Sequence, residues 1–356
     1  MTILQGRIDV QHHVIPPAFI EAMARKGLNQ VAGAPLPKWS PEASIAVMDM
    51  NGIQTAITSL SAPGVYFGSI PDACDLARRC NDFSADMKTR YPGRFGSFAV
   101  LPMPFTERAC KEAIYALDML HADGIGLLGS TEGKFLGDPS FEDLMAELDR
   151  RQAVVFVHPN LHATSQTIGL NIPGFLIEFL CDTTRAAVNL IVSGTVEKYP
   201  NIRWILAHAG GFLPYAAWRV SLANLMSEVN QNAPQGMLTY IKRFYYDTAL
   251  SPSAYVMAVL KELIDPSHIL FGSDFPFAPG ASTALQVRTL AQSPIWDDKT
   301  KYGINRGHAL SLFPAYKRAE EVVAPLPVYG QQPFSGRVKR ALAKPVIALA
   351  DHLRNK

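Results

Sequence analysis

Short apolar runs recur along this chain, each stopped by a polar residue and followed by a longer stretch whose apolar positions fall at helical spacing. Strand-like runs occupy residues 7–14, 54–60, 95–101, 124–128, 153–158, 203–208, 244–249 and 269–273. Between and after them the spacing predicts helices over 41–50, 72–91, 106–121, 141–151, 175–192, 211–229, 252–264 and 281–291. Runs such as Val154 to Val157 and Trp204 to Ala207 are apolar without alternation, as a parallel sheet covered on both faces requires. Eight such units in about 300 residues predict an α/β fold of the closed (β/α)8 TIM-barrel type. An open, doubly wound sheet is the alternative.

Local signals sharpen the boundaries. Pro16 and Pro17 stop the first strand, and Ser40, Pro41 and Glu42 supply an N-cap, a proline at the first helical position and an acidic first turn. Residues 16–40, with Gly27, Gly33, Pro35 and Pro37, read as a long insertion between the first strand and helix, holding one short helix near 19–25. The barrel is expected to span residues 1–314. Residues 315–356 carry eight Lys/Arg against three Asp/Glu and four prolines. They are expected to form a C-terminal extension that packs across the barrel or a neighbouring subunit, partly helical over 338–354.

Composition narrows the class without choosing a function. The chain is 48% apolar and 18% charged with a net charge of +2, which gives no electrostatic reason to expect nucleic acid or a membrane surface as partner. No stretch offers 18 uninterrupted apolar residues, and Met1 to Arg7 lacks the basic start and apolar centre of a leader. Cys74, Cys80, Cys110 and Cys181 show no C-x-x-C spacing and read as reduced packing thiols, which points to the cytoplasm.

The chemistry lies where strands end. His13 closes the first strand, His158 the fifth, His208 the sixth, and Asp274 follows the eighth. In a closed ring these ends converge on one mouth. His13, His158 and Asp274 supply three donors for a divalent metal, and Gln11, two residues before His13 on the same strand face, can add an amide oxygen. By the same alternation, Val10 and His12 face the other way. His208 precedes Ala209-Gly210-Gly211, where glycines allow close backbone approach to a ligand, and it is placed as general acid or base or as a further ligand. Arg185 and Arg219 are candidates for a substrate carboxylate, which guanidinium binds bidentately; ordinary ion pairs are the alternative for each. Trp39, Tyr66, Phe67, Phe275 and Phe277 could line an apolar pocket or belong to the core.

The set Asp9-x-Gln11-x-His13, Phe156-Val157-His158-Pro159, His208-Ala209-Gly210-Gly211 and Phe271-Gly272-Ser273-Asp274-Phe275-Pro276-Phe277 resembles the amidohydrolase superfamily, in its aminocarboxymuconate-semialdehyde decarboxylase branch. The resemblance covers about residues 7–313 in the order the family has them. Trp39 to Ser44, Ser61 to Gly64, Ala122 to Leu128 and Asp182 to Arg185 look closest to the 6-methylsalicylate decarboxylase group. The resemblance implies His13, His158 and Asp274 as metal ligands and His208 as the catalytic acid/base. It also implies Arg219 as a substrate-carboxylate residue acting across a dimer interface. Gln11 departs from the histidine or glutamate usual in the family, and a neutral amide is the weaker ligand.

A metal beside an acid/base pair serves hydrolysis and nonoxidative decarboxylation equally well, and spacing does not choose between them. The resemblance favours metal-dependent decarboxylation of a small hydroxyaromatic acid such as a salicylate derivative. The expected partners are that small substrate, a divalent ion (Zn2+ foremost, Mn2+ as the alternative) and a second copy of the chain. His208 and Asp274 would be catalytic, with Arg219, Arg185 and Trp39 on the substrate. The competing readings are a lactone or amide hydrolase and a non-catalytic barrel with a decayed metal site.

Overall fold

The computed structural model describes residues 6–168, 170–329 and 345. Eight parallel strands form one sheet: β1 (Arg7–His13), β2 (Ile53–Ser59), β3 (Phe95–Val100), β4 (Gly124–Leu128), β5 (Val154–His158), β6 (Arg203–Leu206), β7 (Tyr245–Asp247) and β8 (Ile269–Leu270), neighbours in chain order. The ring closes where β8 runs on beside β1: Phe271 accepts from Val10 N–H at 2.9 Å, Gln11 accepts from Asp274 N–H at 2.8 Å, and His12 bridges to Phe275. Closure excludes the open doubly wound sheet.

The principal helices are α1 (Pro17–Arg25), α2 (Pro41–Met50), α3 (Ile70–Arg90), α4 (Thr106–Asp118), α5 (Glu142–Arg150), α6 (Glu178–Val192), α7 (Leu213–Ser221), α8 (Ala254–Leu263) and α9 (Gly280–Gln292). The Ser40 hydroxyl accepts from Ala43 N–H at the start of α2 with Pro41 in the first turn, as the sequence signal requires. The region predicted as one helix over 211–229 is instead α7 followed by a short 3-10 turn and a six-residue helix. The insertion at 16–40 adds to α1 a small antiparallel hairpin, Gln30–Val31 with Ala34–Pro35. None of the described helices is long and apolar enough to cross a membrane.

The apolar side chains sort into two shells. Ile8, Val10, Phe98, Phe156, Ile205 and Leu270 fill the barrel interior, and Leu310, Phe313 and Tyr316 close it at the N-terminal ends of the strands, with Phe313 edge-on to Phe98. A second, larger shell lies between strands and helices. One end of the barrel is therefore plugged with packed side chains, and the polar strand ends are left at the other.

The first strand departs from simple alternation. Asp9 pairs with Ala56 and His12 with Thr58, so three steps on β1 match two on β2, which is a β-bulge. Val10 thus joins the interior with Phe156 and Ile205, against the expectation that it shares a face with His12. His12 alone turns outward, between Asp9 and Ser44 of α2. The bulge lets consecutive residues Val10 and Gln11 both serve the interior, one in its apolar floor and one at the site.

The start of the C-terminal extension crosses the plugged end. Tyr316 donates to Asp123, the Arg306 guanidinium pairs with Glu321, and Tyr329 lies under Arg203 and Arg243, each 5.0 Å from its ring centre. The helix expected over 338–354 lies outside the described residues.

Candidate active site

Six buried side chains meet at the open end: Gln11 and His13 of β1, His158 of β5, His208 just after β6, Asp247 ending β7 and Asp274 after β8. His13 Nε2 is 2.9 Å from Asp274 Oδ1, and the Gln11 amide nitrogen lies 3.0 Å from both Asp274 Oδ1 and His208 Nε2. His208 Nε2 stands 3.8 Å from Asp274 Oδ2. One donor atom from each of His13, His158 and Asp274 falls within 4.8 Å of the other two.

These residues fit a divalent cation. The Nδ1 of His158 donates to Pro159 O at 2.8 Å and that of His13 to Ser59 O at 3.2 Å, which fixes the tautomer and leaves an Nε2 lone pair on each ring for the centre. His13 Nε2 and Asp274 Oδ1 stand 2.9 Å apart, close enough for one cation to bind both. Burial holds the His158 imidazole below its ordinary pKa, with His13 and His208 adding to the effect, so it stays neutral as a ligand must. The amide oxygen of Gln11 is buried without a partner, a free acceptor next to this cluster.

Electrostatics assign different tasks to the other two charged groups. Burial works against ionisation of Asp274, yet His13, 2.9 Å from its Oδ1, and His208, 3.8 Å from its Oδ2, hold it well below the usual carboxylate range. Burial likewise opposes charge on His208, but the carboxylate of Asp274, 3.8 Å away, and then the charge of Asp247 raise its pKa above the ordinary value. A histidine whose charged form a neighbouring carboxylate favours is placed to act as an acid. Both residues have left-handed backbones, φ +55° at His208 and +63° at Asp274, a conformation that costs about 1–3 kcal/mol outside glycine and clusters at active sites.

Asp9, quoted in the motif without a role, anchors the strained turn. One oxygen accepts from Gln11 N–H and Ser273 N–H, and the other accepts from Ser273 Oγ at 2.5 Å and lies 3.0 Å from His12 Nδ1. It ties the bulge of β1 to the loop that carries Asp274. Nothing in a lone aspartate near a strand end signals this; the closed ring that brings residues 9 and 273 together does.

The glycines after His208 do not approach a ligand, contrary to expectation. A Cβ on Gly210 would come within 2.6 Å of the Tyr246 ring, and one on Gly211 would overlap the carbonyl oxygen of Leu180 in α6; φ is +77° and +64°. They let the His208 turn pass between α6 and β7. Gly211→Ala is accordingly expected to cost about 2–4 kcal/mol of stability, read from its urea unfolding midpoint. A midpoint equal to that of the native protein would contradict this role.

Above the polar cluster lies a cavity of about 260 Å³, walled by Val31 of the hairpin, Phe175, Leu176, Phe179 and Phe277, with His158, His208 and Asp274 at its floor. It is smaller than the roughly 300–1,000 Å³ of drug-sized pockets and takes a single ring. Of the aromatics considered from the sequence, Phe277 lines it. Trp39 does not: its indole donates to Ser44 Oγ and its ring packs on Phe83 of α3. Phe275 packs on His12 and Tyr66 on Phe105. Phe175 and Phe179 were missed because nothing in the sequence says which face of α6 and its preceding loop folds over the mouth.

Neither arginine reaches the cavity of its own chain. Arg185 is exposed on α6 and Arg219 is exposed on α7, and no lysine or arginine is among the cavity-lining residues.

A parallel (β/α)8 barrel with two histidines and an aspartate converging at the C-terminal mouth has the architecture of a barrel enzyme with a metal-competent centre. The chain belongs to the amidohydrolase family, whose model matches residues 8–314. It is 38% identical over 325 residues to a decarboxylase of Aspergillus niger, covering 87% of this chain and 88% of that one. It is 36% identical over 320 residues to the 6-methylsalicylic acid decarboxylase of Penicillium expansum, covering 88% and 97%. Among solved structures, a dihydroxybenzoic acid decarboxylase from Polaromonas with bound manganese and 2-nitroresorcinol matches with a TM-score of 0.74 at 23% identity, over 88% of this chain and 98% of that one. At that identity the match shows a shared fold.

Proposed function

We propose that this protein is a metal-dependent, nonoxidative decarboxylase of a small ortho-hydroxy aromatic acid of the 6-methylsalicylate type. The observation that carries the reading is the pairing of a His-His-Asp donor set with His208, beside Asp274, on the floor of a ring-sized apolar cavity. The two decarboxylase relatives, each matched over most of its length, support the reaction type.

His13, His158 and Asp274 would hold the ion, with Gln11 Oε1 within reach as a neutral fourth donor; the nitrogen-rich set suits zinc, and the manganese of the Polaromonas enzyme makes that ion the alternative. When bound, the ion supplies positive charge to the hydroxyl and carboxylate oxygens of the substrate. The apolar walls orient the ring and exclude water. His208 gives its proton to the ring carbon that bears the carboxylate, and Asp274 holds the imidazolium until then. The carbon–carbon bond breaks, its electrons restore the aromatic ring, and carbon dioxide leaves. A panel of hydroxybenzoates with a lactone and an amide in parallel tests the reading. Release of carbon dioxide from ortho-hydroxy acids is expected. Hydrolysis of the lactone or amide without decarboxylation would replace the reading with the hydrolytic one.

A homodimer would bring to the cavity the cation that its own lining residues do not supply. Arg219 sits among exposed apolar side chains of α7: Tyr215 and Trp218 are 88% and 75% exposed, and Leu222 follows. Tyr255 on the neighbouring α8 is 76% exposed. An apolar patch of this kind marks an interaction surface, and the family resemblance pairs it with a second copy. Arg219 of the partner subunit would then meet the substrate carboxylate. Sedimentation is expected to give a dimer, and Trp218→Glu a monomer with little activity.

A further inference from the structure

Asp247 is the one fully buried carboxylate at the mouth that the scheme above leaves unused. Its Oδ1 accepts from the backbone N–H of His208 at 2.9 Å and from that of Ala249 at 3.0 Å. Its Oδ2 is buried and has no partner, and the same holds for His208 Nδ1. The carboxylate lies close enough to act on the charge of His208, and burial pushes it up to about 7. Asp247 packs in the layer directly beneath the site, since a Cβ on Gly272 would stand 3.1 Å from that of Gln11 and 3.2 Å from that of Asp247.

A dry carboxylate with one unsatisfied oxygen is costly to keep for folding alone, because a shape-matched apolar residue often serves a core equally well. Its satisfied oxygen is spent on the one backbone group that sets the course of the His208 turn. That turn is left-handed at His208 and again at Ala209, φ +55° at each, a course that must be held from outside. Without the hydrogen bond, His208 N–H is a buried orphan donor, and the turn gains by relaxing toward an ordinary φ, which swings the imidazole away from Asp274.

We infer that Asp247 is a positioning residue for His208, fixing the backbone from which the acid/base side chain projects. The inference rests on the assignment of His208 as acid/base, and its test separates the two. Asp247→Leu, similar in volume and without an acceptor, is expected to lower kcat by about 100-fold, the cost of an ångström-scale misplacement. KM and metal stoichiometry should stay within about threefold and twofold of native, since the metal-binding side chains are untouched. Asp247→Asn keeps the Oδ1 acceptor and is expected to recover kcat to within about tenfold of native.

In a His208→Ala background, Asp247→Leu should cost nothing more, because residues acting as a unit are non-additive. The imidazole resonances of His208 should shift in the Leu variant and hold in the Asn variant. A native kcat in His208→Ala would overturn the acid/base assignment itself. A loss in His208→Ala with a native kcat in Asp247→Leu would overturn only the positioning role, as would an additive double variant or an Asn variant no better than Leu. Should the Leu variant not fold, the Asn variant decides through kcat and the histidine resonances.

Discussion

Asp274→Asn is expected to lower kcat by roughly 10⁴-fold, the upper end of what one acid/base group contributes, because this carboxylate is proposed to serve in two capacities. It would be one of three donors to the ion, and it carries the negative charge that favours the charged form of His208 against burial. Asparagine preserves volume and leaves an acceptor for His13 and Gln11, so the fold should persist. The charge on which both capacities depend disappears. Elemental analysis is expected to show metal content falling at least about tenfold, in the range seen when groups supporting a metal site are removed. A variant that kept its metal and a tenth of native turnover would show that Asp274 does neither.

The second large effect concerns Arg219, which faces away from its own cavity. Arg219→Met is expected to cut kcat/KM by about 10²- to 10³-fold, mostly through KM, as the loss of a desolvated carboxylate–guanidinium pair would. Mixing is the more informative experiment. When inactive Asp274→Asn subunits are exchanged with inactive Arg219→Met subunits, half of the dimers formed at random are mixed. Each mixed dimer carries one site with Asp274 intact and Arg219 supplied by the other chain. Activity should return to about a quarter of native. An arginine acting within its own chain would return none, since no subunit in the mixture carries both residues.

Much of this site is legible in the sequence because a parallel barrel turns strand order into geometry. His158 and His208 each follow an unbroken apolar run, His13 closes the first strand-like segment and Asp274 lies just past the eighth, and once eight such segments close into a ring, their ends must meet. Residues whose position depends on local departures from that regularity are not legible. The bulge at residues 9–12 puts Val10 and Gln11 on the same side, and no period-two reading finds it. Asp247 falls inside the run that the sequence marks as a strand over 244–249, whereas the strand itself ends at Asp247, so this aspartate does not stand at a legible strand end as His158 does. The glycines at 210 and 211 were read as room for a ligand, when the neighbours they make room for are Tyr246 and Leu180. Trp39 is one of the aromatics the sequence offers to the pocket, but its indole N–H finds Ser44 and its ring packs on Phe83 of α3. The hairpin that brings Val31 over the mouth arises from a Gly- and Pro-rich stretch whose pattern announces only irregularity.

Under the proposed function, a divalent ion held by His13, His158 and Asp274 makes this barrel a decarboxylase. The most direct test is to follow carbon dioxide release from 6-methylsalicylate and related ortho-hydroxybenzoates by the protein as purified, after chelation, and after titration with zinc or manganese, with metal content measured in the same samples. The expected result is close to one ion per chain, release that vanishes with the metal, and recovery that saturates as the ion is restored to one equivalent. Release that persists in metal-free protein, or a fully loaded protein that decarboxylates none of these acids, would contradict it.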